Sequence, residues 1–171
     1  MKAASLALSS LNGASEEAFV DALGAIFEHS PWVARAVGHL RPFATITALH
    51  TAMVAAVAAA PANQVDELLL AHPDLATGQA LTAASAAEQK VLGFTRLGRA
   101  EAEGFDREKS AYRARFGFPF IIAVRAQRDR AAIRRAVSAR MHHDPNQERA
   151  TALAEIGRIA RFRLEDLIDE R

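Results

Sequence analysis

The sequence predicts an all-α single domain, residues 1–171, of about seven to eight helices with one short extended segment, and three observations carry that expectation. Apolar residues recur with a 3.6-residue period through nearly the whole chain. Breakers punctuate the periodic stretches at Ser30-Pro31, Pro73, Gly117 and Asp144-Pro145. No internal repeat or low-complexity linker divides the 171 residues. A chain of that length buries about two-thirds of its unfolded surface without help from metals or disulfides.

The elements follow in order. Ser15 is a plausible N-cap with Glu16 and Glu17 in the first turn, and Phe19, Ala22, Leu23, Ile26 and Phe27 form the buried stripe behind it. Ser30-Pro31 restarts a helix, because a proline at the first helical position gives up an amide hydrogen that would be unpaired there anyway. Ile46, Leu49, Met53 and Val57 make the next stripe. Val65, Leu68 and Leu69 make a shorter one that should end near Ala71, since Pro73 pushes His72 out of the helical region. The pattern then predicts helices over 82 to about 99, 106–116, 129–143 and 146–168. Gly117 closes the second of these in the left-handed conformation.

Residues 118–124 break the rhythm. Their continuous apolar run, with Pro119 inside it, fits an extended or irregular segment, or else a core helix opening at Pro119. In an all-helical protein an extended stretch has no sheet partner, so its buried backbone groups must be paired with something, and an amide-rich ligand could serve.

Composition excludes several classes. Cysteine is absent, which removes disulfides, thiolate nucleophiles and Cys-type zinc sites. The longest near-apolar stretch, 53–62, is mostly alanine and too short to span a bilayer, so a soluble cytoplasmic protein with no membrane partner is expected. Between Arg125 and Arg163 ten arginines face four acids. They alternate with apolar residues as solvated helix faces do, and no nucleic-acid partner is expected from them. His29, His39, His50, His142 and His143 lack HExxH or related spacing, so no metal site is expected and they are read as surface or core residues. No Gly-rich phosphate loop or GxSxG elbow occurs.

Two residues stand out as chemistry. His72 sits where a helix ends, and the unpaired carbonyls there favour imidazolium, which suits a proton donor near neutral pH. Asp74 could support the same form, although a histidine bonded to the last carbonyls is the plainer alternative. Glu88 either completes a capping box with Ser85 or, if Thr82 caps the helix, lies a turn further on and is able to point into a cleft.

Several segments occur together in one order: Arg41-Pro42-Phe43, His72-Pro73-Asp74-Leu75-Ala76, Leu81-Thr82 with Ser85 and Glu88-Gln89, and Tyr112-Arg113-Ala114-Arg115-Phe116-Gly117-Phe118-Pro119-Phe120-Ile121. Ala152-Leu153-Ala154-Glu155-Ile156 with Arg163-Leu164 follows them. In this the chain resembles, over almost its whole length, the 2-oxo-4-hydroxy-4-carboxy-5-ureidoimidazoline (OHCU) decarboxylases of urate degradation. The resemblance implies an all-helical, cofactor-free and often homodimeric enzyme that turns OHCU, a small ureidoimidazoline, into (S)-allantoin and carbon dioxide. It further implies His72 as proton donor, Glu88 as its acid/base partner and Arg163 as the anion-recognising group. Pro73, Ser85, Ala86, Ala87, Glu88 and Gln89 would line the substrate, with the backbone of Phe120, Ile121, Ile122, Ala123 and Val124. The connection from His72 to Glu88 is shorter than is usual in the family by about a helical turn, and Lys109 stands where asparagine is usual. The alternatives are a non-catalytic helical binding protein on the same fold, and a decarboxylase of a different ureido-ring acid.

Overall fold

Periodic apolar stripes become helices where caps let them start. The computed structural model describes residues 5–75, 83–91 and 98–170, and among these are nine α-helices and one two-stranded parallel pair. The all-α expectation holds. Among the described residues no single helix is long and apolar enough to cross a membrane.

The described fold divides into two compact units, Met1–Ala71 with Gly157–Arg171, and His72–Ile156. In the first, β1 (Leu6–Ala7) runs directly into α1 (Leu8–Gly13). The periodic reading began only at Ser15 and missed both, although Leu8 and Leu11, three residues apart, are buried on one face. Asn12 of α1 clamps the backbone of Phe43 from both sides, donating to its carbonyl and accepting from its amide, each at 2.8 Å. Ser15 caps α2 (Glu16–Leu23) as expected, accepting from the Ala18 amide at 3.2 Å. That helix stops before Ile26 and Phe27, which are buried from a turn instead. α3 (Trp32–Val37) starts one residue later than Pro31, whose predecessor Ser30 accepts the first bond through its carbonyl.

Thr45 caps α4 (Ile46–Ala59), whose buried residues are Ile46, Leu49, Met53 and Val57, the predicted stripe. α5 (Ala62–Ala71) ends where Pro73 requires it to. At the other end of the chain Ile168 and Asp169 leave the last helix and form β2, paired in parallel with Leu6 and Ala7. The helix expected over 146–168 therefore ends one residue earlier, because Ile168 and Asp169 gain partners from a strand far away in sequence.

In the second unit α6 spans Ala83–Val91 and α7 spans Arg99–Phe116. Of the helix expected over 82 to about 99, residues 83–91 are helical, while 82 and 92–97 lie outside the described residues. Gly98 is extended and its carbonyl accepts from Ala102, so a new helix starts at Arg99 and runs through the stretch before 106 that had been left unassigned. Gly117 ends α7 at φ 82°, with its amide bonded to the Arg113 carbonyl at 2.8 Å, which only a residue without Cβ adopts readily. Asp129 caps α8 (Arg130–Arg140), and Asp144 accepts from the amides of Asn146 and Gln147 to start α9 (Pro145–Leu167) with proline at its first position. Phe105, Tyr112, Phe120, Ile133 and Ile156 fill this unit's core.

Candidate active site

His72 is the first residue past α5 and only 5% exposed. The turn that carries it is held by α7. Lys109, itself buried, donates from Nζ to the Leu75 carbonyl at 2.6 Å and pairs with Asp106 at 2.8 Å. One helical turn on, Arg113 pairs with Asp74 at 2.9 Å. Residues four apart share a helix face, so α7 grips the segment 72–75 at two points. Lys109 thus does structural work at the position where the resembling family usually carries asparagine. Ala76, Leu81 and Thr82 lie outside the described residues.

α6 begins at Ala83, which places Ser85 inside the helix and not at its cap. A capping box of Ser85 with Glu88 is therefore excluded, Thr82 lies outside the described residues, and Glu88 sits three residues beyond Ser85 on the same face. Ser85 is buried, Glu88 partly so, and Ala86 and Ala87 are exposed; Gln89 follows in the same helix. α6 packs against the 3₁₀ turn Val124–Ala126. The fold thus brings α6 to the end of the 118–124 segment.

Residues 119–123 form neither helix nor strand, and all of 118–124 is buried. A helix opening at Pro119 is thereby ruled out. Part of the backbone accounting is settled by side chains: Arg140 Nη1 donates to the Ile121 carbonyl at 2.7 Å, and Glu155 Oε2 accepts from the Ala123 amide at 2.8 Å. The rings of Phe116, Phe118 and Phe120 surround Tyr112 at 4.8, 6.0 and 5.1 Å between centroids.

Behind this segment lies a cluster that sequence reasoning missed. Glu148 is fully buried and accepts from Tyr112 Oη, from Arg140 Nε at 2.8 Å, and shares a 2.7 Å hydrogen bond with His143 Nδ1. The Arg140 guanidinium also lies 4.5 Å over the Phe120 ring. His143, read as an ordinary surface or core residue, is in fact part of this network. The available signal was an acid in the first turn of a helix otherwise striped with buried residues.

Burial, and then the hydrogen bond to Glu148, push the Tyr112 phenol well above its ordinary 10.0. The folded chain therefore holds this proton more tightly than the unfolded one. That stabilisation is complete below about pH 10 and is lost as pH rises further. Tyr112 is the chain's only tyrosine, so absorbance at 295 nm reads it alone. We expect no phenolate at pH 10–11 while the fold persists, and its appearance together with loss of helical circular dichroism. A free titration near pH 10 with the helices intact would contradict the buried network.

Arg163 belongs to the first unit, on the second half of α9. Its guanidinium is buried and fixed by Glu28 Oε1 at 2.8 Å and by the carbonyls of Ala25 and Ile26 at 3.3 Å. Glu28 is 1% exposed and has φ 29°, an uncommon backbone conformation for a residue other than glycine. Glu28 too went unread in the sequence, hidden between Phe27 and the Ser30-Pro31 restart. In the same unit His50 Nε2 lies 2.8 Å from the Gly157 carbonyl, joining α4 to α9.

The model of the OHCU decarboxylase family matches residues 12–165. OHCU decarboxylases of Haloferax volcanii and Bos taurus are 42% and 38% identical to this chain, over 93% and 90% of it and 94% and 92% of their own lengths. A Bacillus subtilis bifunctional uric acid degradation protein is 40% identical, with the match spanning 32% of its length. The solved structure of an (S)-allantoin synthase superposes at a TM-score of 0.78 with 34% identity, over 96% of this chain and 54% of that one. An OHCU decarboxylase solved in the presence of (S)-allantoin shares the fold at a TM-score of 0.68 and 21% identity, over 90% of this chain and 98% of that one. The fold and the match define a helical decarboxylase. This chain belongs to the OHCU decarboxylase family.

Proposed function

We propose that this protein decarboxylates OHCU to (S)-allantoin and carbon dioxide, with His72, Glu88 and Arg163 carrying the chemistry. The observation that carries the reading is the family match across residues 12–165. Its site residues are supported by the burial of His72 in a turn gripped by Lys109 and Arg113, and by the packing of the Glu88 helix on Val124–Ala126.

The substrate supplies its own electron sink, a ring C=N next to the carbon that bears carboxylate and hydroxyl. As the C–C bond to the carboxylate breaks, its electron pair forms a new C=C bond and the C=N electrons move to nitrogen, which takes up a proton from solvent. The ureido-bearing carbon then takes one proton from one face, and the hydroxyl loses its proton as it becomes a carbonyl. His72, protonated, delivers the proton that sets the stereochemistry, and Glu88 accepts the hydrogen bond from the hydroxyl. Pro73, Ser85, Gln89 and the backbone of 120–124 line the ring and the ureido group. Arg163 recognises the substrate's anionic or ureido oxygen; binding the ionised carboxylate more tightly than the transition state would oppose its loss, so orientation is its role.

The working form is proposed to be a cytoplasmic homodimer, which sedimentation of the purified chain tests. For the reaction, OHCU is generated freshly from urate with uricase and a hydroxyisourate hydrolase, and allantoin is followed by circular dichroism. The (S)-allantoin signal is expected well ahead of spontaneous decay. Conversion no faster than the protein-free control would reject the reading.

A further inference from the structure

We infer that Glu155 and the Arg140–Glu148 pair are positioning residues that hold the 120–124 backbone open as a rigid hydrogen-bonding edge for a planar, amide-rich ring. The inference rests on the proposed OHCU reading and extends it to residues that would touch no substrate atom.

Successive peptide groups along an extended chain point to alternate sides. Arg140 holds the carbonyl of Ile121 and Glu155 holds the amide of Ala123, two positions of the same parity. Both bonds come from residues of the same unit, on α8 and the first half of α9. Neither bond takes up the amide or carbonyl of Phe120 or Ile122, which we assign to the ligand. A stretch of buried backbone without a sheet neighbour would otherwise satisfy itself by coiling, and continuous apolar sequence such as Phe118-Pro119-Phe120-Ile121-Ile122 gives nothing to prevent it. Side chains take the place of one neighbouring strand and leave the other edge for a ligand.

The supports are themselves over-determined. Arg140 divides its fork, with Nε on Glu148 and Nη1 on the Ile121 carbonyl. Glu148 is in turn fixed by Tyr112 and His143. A planar fork can serve two acceptors at a set spacing, which a lysine's single ammonium does less well. The 3₁₀ turn that follows, with the Ala126 amide on the Ala123 carbonyl at 3.0 Å, stops the edge from sliding.

Such a role moves substrate binding more than the chemical step, since backbone bonds to ring amides persist from ground state to transition state. Glu155 is only half-buried, so it can be changed with less risk to the fold than Glu148. Glu155→Ala is expected to raise KM for OHCU by about tenfold or more with kcat within about threefold. Glu155→Gln, whose amide oxygen can take the same bond from Ala123, is expected to recover KM to within about threefold of the wild type. Arg140→Lys keeps a cation beside Glu148 while giving up the fork, and is expected to raise KM as Glu155→Ala does.

Each variant is measured beside active wild type, with melting temperature and a calorimetric titration of allantoin as second readouts. The inference is overturned if Glu155→Ala and Arg140→Lys fold and bind as the wild type does, if the loss falls on kcat, or if Glu155→Gln is as impaired as Glu155→Ala. Should Glu155→Ala not fold, Arg140→Lys against the wild type decides on KM alone. If the wild type itself leaves OHCU to its spontaneous decay, the proposed reading falls and this inference with it, an outcome distinct from active enzyme with indifferent variants.

Discussion

Replacing His72 by alanine is expected to lower kcat by roughly 10²–10⁴-fold, the usual worth of a positioned general acid or base, while KM changes little. The allantoin that the variant does release should be close to racemic. Without an imidazolium on one face, the ureido-bearing carbon takes its proton from water on either side. His72 is buried at the end of α5 and its turn is tied to α7 through Lys109 and Asp74–Arg113. Those ties do not involve the imidazole, so the variant's far-ultraviolet circular dichroism should match the wild type. Rate and optical activity are read in the same coupled assay. A variant within about threefold of wild-type kcat, still yielding (S)-allantoin, would remove His72 from the proton-donor role.

The second large effect is on stability. Glu148→Ala is expected to cost about 3–5 kcal/mol, because it strands the buried Arg140 charge and leaves the Tyr112 hydroxyl without its acceptor. At this chain length that is a fall in melting temperature on the order of ten degrees. Glu148→Gln keeps an acceptor for Tyr112 and one for Arg140 but loses the charge, and should fall in between. Urea titrations should show a lower midpoint with a similar slope, since the surface exposed on unfolding is unchanged. A loss below about 1 kcal/mol would mean that the cluster is solvated in a way its burial does not suggest. The size of the expected effect measures the broken cluster and not the net worth of the ion pair, which well-packed apolar residues could replace at little cost.

How much of this could be read beforehand depends on the range of the interactions involved. Ser15, Thr45 and Asp129 act on amides three residues away, and Pro73 acts on its immediate neighbour, so the helix starts they set and the end of α5 were open to inspection in the sequence. The break at Gly98 was not. A glycine is tolerated inside a helical pattern, so nothing local singled out Gly98 as the residue before a new helix. The irregular stretch at 119–123 was legible as an anomaly, but its support was not, because Arg140 and Glu155 lie 19 and 32 residues away from the groups they hold.

The residues of the candidate site divide along the same line. His72 was visible through its place at a helix end, and both His72 and Glu88 through the motifs around them. Glu28 and Glu148 were invisible, and Lys109 stood out only as a departure from the family pattern: a buried carboxylate or ammonium looks in sequence like any surface charge until its partner is known. By itself the sequence determined the helical class, the helix starts that caps and prolines dictate, and the family to which the chain belongs. All of these rest on short-range rules or on motif order. Only the tertiary structure decided which charges are buried together and what holds the 120–124 backbone, because desolvation and pairing arise only when distant segments meet.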